Sequence, residues 1–145
     1  GALRTLAGGL VVVDETYNSN PSAVLAVLEA LADAPCDGRR VAVLGEMLEL
    51  GSKATECHEE IGRAAAERGI ELLCAVGEHA PQLVRAAMGE NARIQSAVFD
   101  TATEAANALP GMVGDGDLVL VKGSRGVGLE VVVDALASAR SEVAS

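Results

Sequence analysis

Aromatic side chains are almost absent from this 145-residue chain: Tyr17 and Phe99 stand alone, and there is no tryptophan. Recognition of single strands by base stacking is therefore not expected, and the core must be built from Val, Leu, Ile and Ala. Positive charge is scarce too. Eleven Lys and Arg face 21 Asp and Glu, a formal net charge of -10, with only short basic pairs such as Arg39-Arg40. No surface for a phosphate backbone is expected, and nucleic acid is set aside as a partner. Long hydrophobic runs are missing as well. Half the residues are apolar, yet a charged residue interrupts each run well before the ~20 residues a membrane span needs, and no signal-peptide pattern opens the sequence. The expectation is a soluble, cytoplasmic chain with no membrane span. Cys36, Cys57 and Cys74 form no C-x-x-C pair and have no His at ligand spacing, so neither a disulfide framework nor a zinc site is read from them. They are read as reduced thiols that fill space.

What is present is alternation. Short Val/Leu/Ile runs at 10–14, 40–45, 71–77, 94–99 and 117–123 are followed by Ala-rich helical segments at 21–34, 55–68, 79–88, 101–108 and 126–140. The runs are apolar at nearly every position, as in strands buried on both faces of a mostly parallel sheet. The fold class is α/β: one three-layer, Rossmann-like domain over 1–145, with a mostly parallel sheet of five to six strands. In the segment 55–68, Ile61, Ala64 and Ala65 make a narrow apolar face, as expected of a helix lying on a sheet. Asn20 before Pro21 predicts an N-cap with proline in the first helical turn. Asp100 and Thr101 followed by Glu104 predict a capping box.

In such a sheet the ligand crevice lies beyond the carboxyl ends of the strands. Three of the loops there are chemically rich. The first, "DETYNSNPS" from Asp14, carries more hydrogen-bonding side chains than a strand-to-helix turn requires. The last, "VKGSRGVGLE" (121–130), flanks Gly123-Ser124 with Lys122 and Arg125 where a strand gives way to a helix. Two cations, a hydroxyl and helix-start amides there predict an anion site suited to a carboxylate or a single phosphate. The glycine order is not that of a Walker A loop, so no triphosphate cradle is read. In the middle loop, "VLGEMLELG" (43–51), Glu46 and Glu49 could receive an amine or a metal-bound water, or stay solvated while Met47 and Leu48 pack beneath. His58, a turn into the next helix, could touch a nucleotide, whereas His79 reads as a solvent-facing helix start. "KGSRG" has lysine where a nucleophile elbow has glycine, so no catalytic triad is assigned, nor any metal-ligand set.

The motifs D-E-T-Y-N-S-N-P (14–21), V-L-G-E-M-L-E-L-G (43–51), H-x-x-I-G (58–62) and V-K-G-S-R (121–125), with Glu130 before a hydrophobic helix, follow one another at fixed spacing. Together they make the chain resemble the C-terminal domain of the MurF ligases, within the Mur ligase family. The resemblance implies an ATP- and Mg2+-dependent enzyme that joins D-alanyl-D-alanine to UDP-N-acetylmuramoyl-tripeptide, with UDP-binding and P-loop domains ahead of this one. It implies nucleotide contacts at Glu15, Tyr17, Asn18, Asn20 and His58, and dipeptide contacts at Lys122, Ser124, Arg125 and Asn18. It assigns no catalytic residue here, and it implies a monomer with no activity or tight cofactor binding by this segment alone, since no G-K-[ST] loop is present. Glu15 and Ser19 stand where the family has aspartate and alanine, and Ala23-Val24 where it commonly has Ser-Met. A related amide ligase, of the folylpolyglutamate or diamino-acid-adding type, and a non-catalytic nucleotide-binding module are the alternatives. "KGSR" speaks against the first, and the lack of G-x-G-x-x-G after the first strand speaks against a dinucleotide module.

Overall fold

The structure is a computed structural model that describes residues 2–16 and 20–143. Its strands are β1 (Ala2–Leu6), β2 (Leu10–Glu15), β3 (Arg40–Gly45), β4 (Leu72–Val76), β5 (Gln95–Phe99) and β6 (Leu118–Lys122). Its helices are α1 (Pro21–Asp33), α2 (Ala54–Glu67), α3 (Ala80–Glu90), α4 (Ala102–Ala108) and α5 (Glu130–Ala139). One sheet takes all six strands in the order β1-β2-β6-β3-β4-β5. Every neighbouring pair is parallel except β1 with β2.

The continuous apolar runs do what such runs must. Val12, Val41, Val43, Val119 and Val121 point to one face, where Ala105 of α4 and Val132 and Leu136 of α5 cover them. Ala42, Leu44, Leu73, Leu118 and Leu120 point to the other and meet Leu28 of α1, Ile61 and Ala65 of α2, and Leu83 of α3. The result is the three-layer α/β architecture expected from the alternation. In α2, Gly62 makes the close packing on α3 possible. A Cβ there would sit 2.0 Å from the carbonyl oxygen of Leu83.

Three features depart from the sequence pattern. The strand β1 had no signal of its own; it forms by turning back at Ala7–Gly9 to pair with β2. Its outer edge is held by residues just past α5, through an isolated antiparallel bridge between Leu6 and Glu142 and a hydrogen bond of 2.9 Å from Val143 N to Thr5 O. At the opposite edge, β5 leaves Gln95, Ser96 and Val98 exposed, because an edge strand has a neighbour on one side only. Finally α5 begins at Glu130 instead of 126, after a single 3-10 turn over Arg125–Val127. Elsewhere the cap signals hold. Asn20 Oδ1 accepts from Ala23 N at 2.9 Å, Thr101 Oγ1 accepts from Glu104 N at 3.2 Å, and Glu104 Oε2 accepts from Asp100 N at 3.1 Å. Among the described residues no helix is long and apolar enough to cross a membrane.

Candidate functional site

Because β6 lies between β2 and β3, the carboxyl ends of three adjacent parallel strands release the three chemically rich loops side by side. This is also where the strand order reverses, since the chain runs outward from β3 to β5 and then returns to fill the gap beside β2. Open α/β sheets bind ligands at such a switch point.

At the base of these loops lies an ion pair. Glu15 and Lys122 end their strands in direct register, and the Lys122 ammonium lies 3.9 Å from Glu15 Oε2. Lys122 is only 5% exposed. The expectation that Lys122 and Arg125 would offer two cations to the same open volume is therefore corrected: Lys122 is sunk beside Glu15, and Arg125 is exposed at the rim. The helix-start amides need a correction too. Val127 N donates to Ser124 O and Gly128 N to Arg125 O within the 3-10 turn, so these amides are spent on the turn itself. What the loop presents is the Ser124 hydroxyl and the Arg125 guanidinium.

The loops after β3 and β6 touch. Leu48 N donates to Ser124 Oγ at 3.3 Å, and the Leu48 side chain lies against Gly126. Met47 is buried beneath, but Leu48 is 43% exposed, so the reading in which both pack under the loop holds for Met47 and not for Leu48. Glu49 is exposed and takes φ of 63°, a left-handed conformation costly for a residue with a Cβ.

Next to this, His58 is 1% exposed. Its Nδ1 lies 2.6 Å from Ala54 O, and its Nε2 accepts from Met47 N at 2.9 Å. Both ring nitrogens are thus engaged inside the protein. Its pKa is lowered from 6.5, chiefly by burial and further by His79, against the raising influence of the Ala54 carbonyl and Glu46. His79 is not the solvent-facing residue its position suggested. Its ring stacks on that of His58, with centroids 4.7 Å apart and planes 12° from parallel, and its Nδ1 is 3.4 Å from Glu46 Oε2. The Glu46 carboxylate rests against Gly77, whose φ of 114° and missing Cβ make the space. Glu46, Glu78 and His79 each offer a ligand atom within 4.8 Å of the others, a set that could take a cation. Sequence reasoning missed this trio because it joins the ends of β3 and β4, whose adjacency is a property of the sheet.

Near β2, Asp14 Oδ1 accepts from Thr16 N at 3.2 Å and from Thr16 Oγ1 at 2.8 Å, closing the strand end. Asn20 is exposed, with its side-chain oxygen committed to the α1 cap. The candidates Tyr17 and Asn18 lie outside the described residues, as does Ser19. Cys74 is in the core, where burial pushes its thiol up to about 12 and makes it unreactive.

Fold and site together define an α/β domain that gathers polar side chains at a topological switch point, among them a hydroxyl and an exposed guanidinium. The family described as Mur ligase, glutamate ligase domain matches residues 3–125. The chain belongs to the Mur ligase family. The UDP-N-acetylmuramoyl-tripeptide--D-alanyl-D-alanine ligase of Escherichia coli (strain K12) is 34% identical over 134 residues, which cover 90% of this chain and 28% of that protein. The enzyme of the same name from Mycobacterium tuberculosis (strain CDC 1551 / Oshkosh) is 36% identical, covering 92% and 30%. Among solved structures, MurF from Acinetobacter baumannii matches with a TM-score of 0.80 at 27% identity, over 94% of this chain and 30% of that one. The MurF ligase from Thermotoga maritima in complex with ADP matches with a TM-score of 0.72 at 29% identity, again over 94% and 30%. The chain thus spans under a third of the length of these relatives.

Proposed function

We propose that this chain is the acceptor-binding domain of an ATP-dependent amide ligase that joins D-alanyl-D-alanine to UDP-N-acetylmuramoyl-tripeptide in the cytoplasmic stage of peptidoglycan synthesis, on which cell shape and division depend. The observation that carries the reading is the meeting of the β3 and β6 loops at Leu48 N and Ser124 Oγ, beside the Glu15–Lys122 pair, on the strand ends where a domain of this fold takes its ligand. The names of the relatives supply the substrates.

In this reading Ser124 and Arg125 receive the dipeptide carboxylate, one by an O–H donor and the other by a charged fork. Lys122 adds its positive charge from below, and Asn18 borders the dipeptide. Anchoring the carboxylate leaves the free amine to be aimed at the tripeptide's activated carboxyl group, so the domain contributes orientation. Glu15, Tyr17, Asn18 and Asn20 border the nucleotide. The residues present do not fit a triphosphate with its magnesium, because no G-K-[ST] loop occurs. Those contacts belong to the other domains of a longer, monomeric enzyme, in which ATP supplies the activation, and this segment alone is inactive. The test is phosphate release from ATP by the chain joined to its P-loop and UDP-binding domains. Release that requires both UDP-N-acetylmuramoyl-tripeptide and D-alanyl-D-alanine is expected. Release that is indifferent to the dipeptide would refute the reading.

A further inference from the structure

We propose that His58 is a positioning residue for the Ser124 hydroxyl, acting through two consecutive amides of the loop after β3. The inference rests on the reading above that Ser124 receives the dipeptide carboxylate.

The geometry forms a chain of contacts. The Ala54 carbonyl can only accept, so the 2.6 Å contact places a proton on His58 Nδ1 and leaves Nε2 as an acceptor. Met47 N–H donates to that Nε2 at 2.9 Å, and the next amide, Leu48 N–H, donates to Ser124 Oγ at 3.3 Å. The preceding amide, Glu46 N–H, donates to Val76 O at 3.0 Å. Three successive amides are thus tied to three separate parts of the fold: the end of β4, the helix α2 and the loop after β6. Met47 is 3% exposed, so its amide has no access to replacement by bulk water. The loop needs this bracing, because the very next residue after Leu48 holds φ of 63° without being glycine.

The consequence falls on one proton. A serine oxygen that accepts from a backbone amide keeps its own O–H to donate, and the direction of that donation is set by where the amide sits. Accepting one bond also polarises the hydroxyl for donating the next. An acceptor-only ligand group such as a carboxylate fits a hydroxyl held this way. A side chain at position 58 that packs equally well but cannot accept would leave the Met47 amide buried and unpaired, and the loop would shift to relieve it. The Leu48 amide and the Ser124 proton would move with it.

Two sets of measurements decide the matter. In the 145-residue chain, nuclear magnetic resonance should show a coupling across the hydrogen bond from Met47 N–H to His58 Nε2. Hydrogen exchange at Leu48 should quicken about tenfold in His58→Leu, the scale of one lost hydrogen bond, and recover in His58→Gln, which restores an acceptor. In the protein joined to its other domains, His58→Leu should raise KM for D-alanyl-D-alanine about tenfold while KM for ATP stays within about twofold. In a Ser124→Ala background the same change should add less than about twofold, because the two act in series. Absence of the Met47 coupling in the wild-type chain overturns the proposal, whether or not His58→Leu folds. So does unchanged Leu48 exchange in a folded His58→Leu, or effects of His58→Leu and Ser124→Ala that multiply in full. If no dipeptide-dependent ligation exists at all, the functional reading falls, and the coupling and exchange results still report separately on whether His58 sets the loop.

Discussion

The imidazole of His58 is held neutral in the folded chain, and this gives it a measurable pH signature. Burial is the main cause of its lowered pKa, from an ordinary value of 6.5. With the folded value below the unfolded one, the unfolded chain takes up the proton first. The stabilisation is therefore complete above pH 6.5 and is lost as pH falls from there through the folded value. Thermal melts at successive pH values should show the wild type losing stability relative to His58→Gln across that interval. Parallel curves for the two proteins would show that His58 does not titrate on unfolding. Residue roles of this kind were only half legible beforehand. The H-x-x-I-G motif drew attention to His58, but whether an imidazole meets a ligand or an amide depends on how close the loop after β3 comes to α2. The same holds for Lys122, whose charge is plain in the sequence and whose burial beside Glu15 follows from β2 and β6 lying in register.

Among the elements, α2 and α3 show how a single missing methyl sets a packing distance. Helix propensity alone favours alanine over glycine by about 1 kcal/mol, so a mid-helix Gly62→Ala change on a free surface would stabilise. Here the added Cβ meets the backbone of Leu83, which has no flexible end to swing aside. Overpacking costs about 1–3 kcal/mol, and a 2.0 Å approach to backbone belongs at the upper end. After the propensity gain a net loss of about 1–2 kcal/mol remains, so Gly62→Ala should lower Tm by a few degrees. A Tm at or above that of the wild type would mean that the helices part at a cost no larger than the propensity gain. Strands and helices with continuous apolar runs or cap residues were readable, as the Asn20 and Thr101 caps show. The strand β1 was not, since "ALRTL" has neither a long apolar run nor clean alternation and owes its pairing to β2 and to residues 141–143. The late start of α5 was hidden for a related reason: the turn over Arg125–Val127 satisfies its own amides before the helix begins.

At the scale of the whole molecule, alternation implied a parallel sheet, and the rich loops implied a site if they converged. Strand order decided convergence, and nothing in the local pattern specifies that β6 inserts between β2 and β3. Two covered faces and one sheet lead to the expectation that the chain unfolds in a single cooperative transition. Calorimetric titration of the chain with ATP and Mg2+ should reveal only weak binding or none, because the charge-dense triphosphate has no cradle here. Sub-micromolar affinity would contradict the assignment of the nucleotide phosphates to other domains. The central claim is that the crevice rim holds the dipeptide carboxylate, and Arg125 tests it most directly. Its guanidinium is exposed, so its replacement leaves the core untouched. In the protein joined to its other domains, Arg125→Ala should lower kcat/KM for D-alanyl-D-alanine roughly tenfold to a hundredfold, the scale of a hydrogen bond to a charged group. The dissociation constant for ATP, measured in parallel, should stay within about twofold. Unchanged kcat/KM for the dipeptide would remove the carboxylate from this rim and contradict the account.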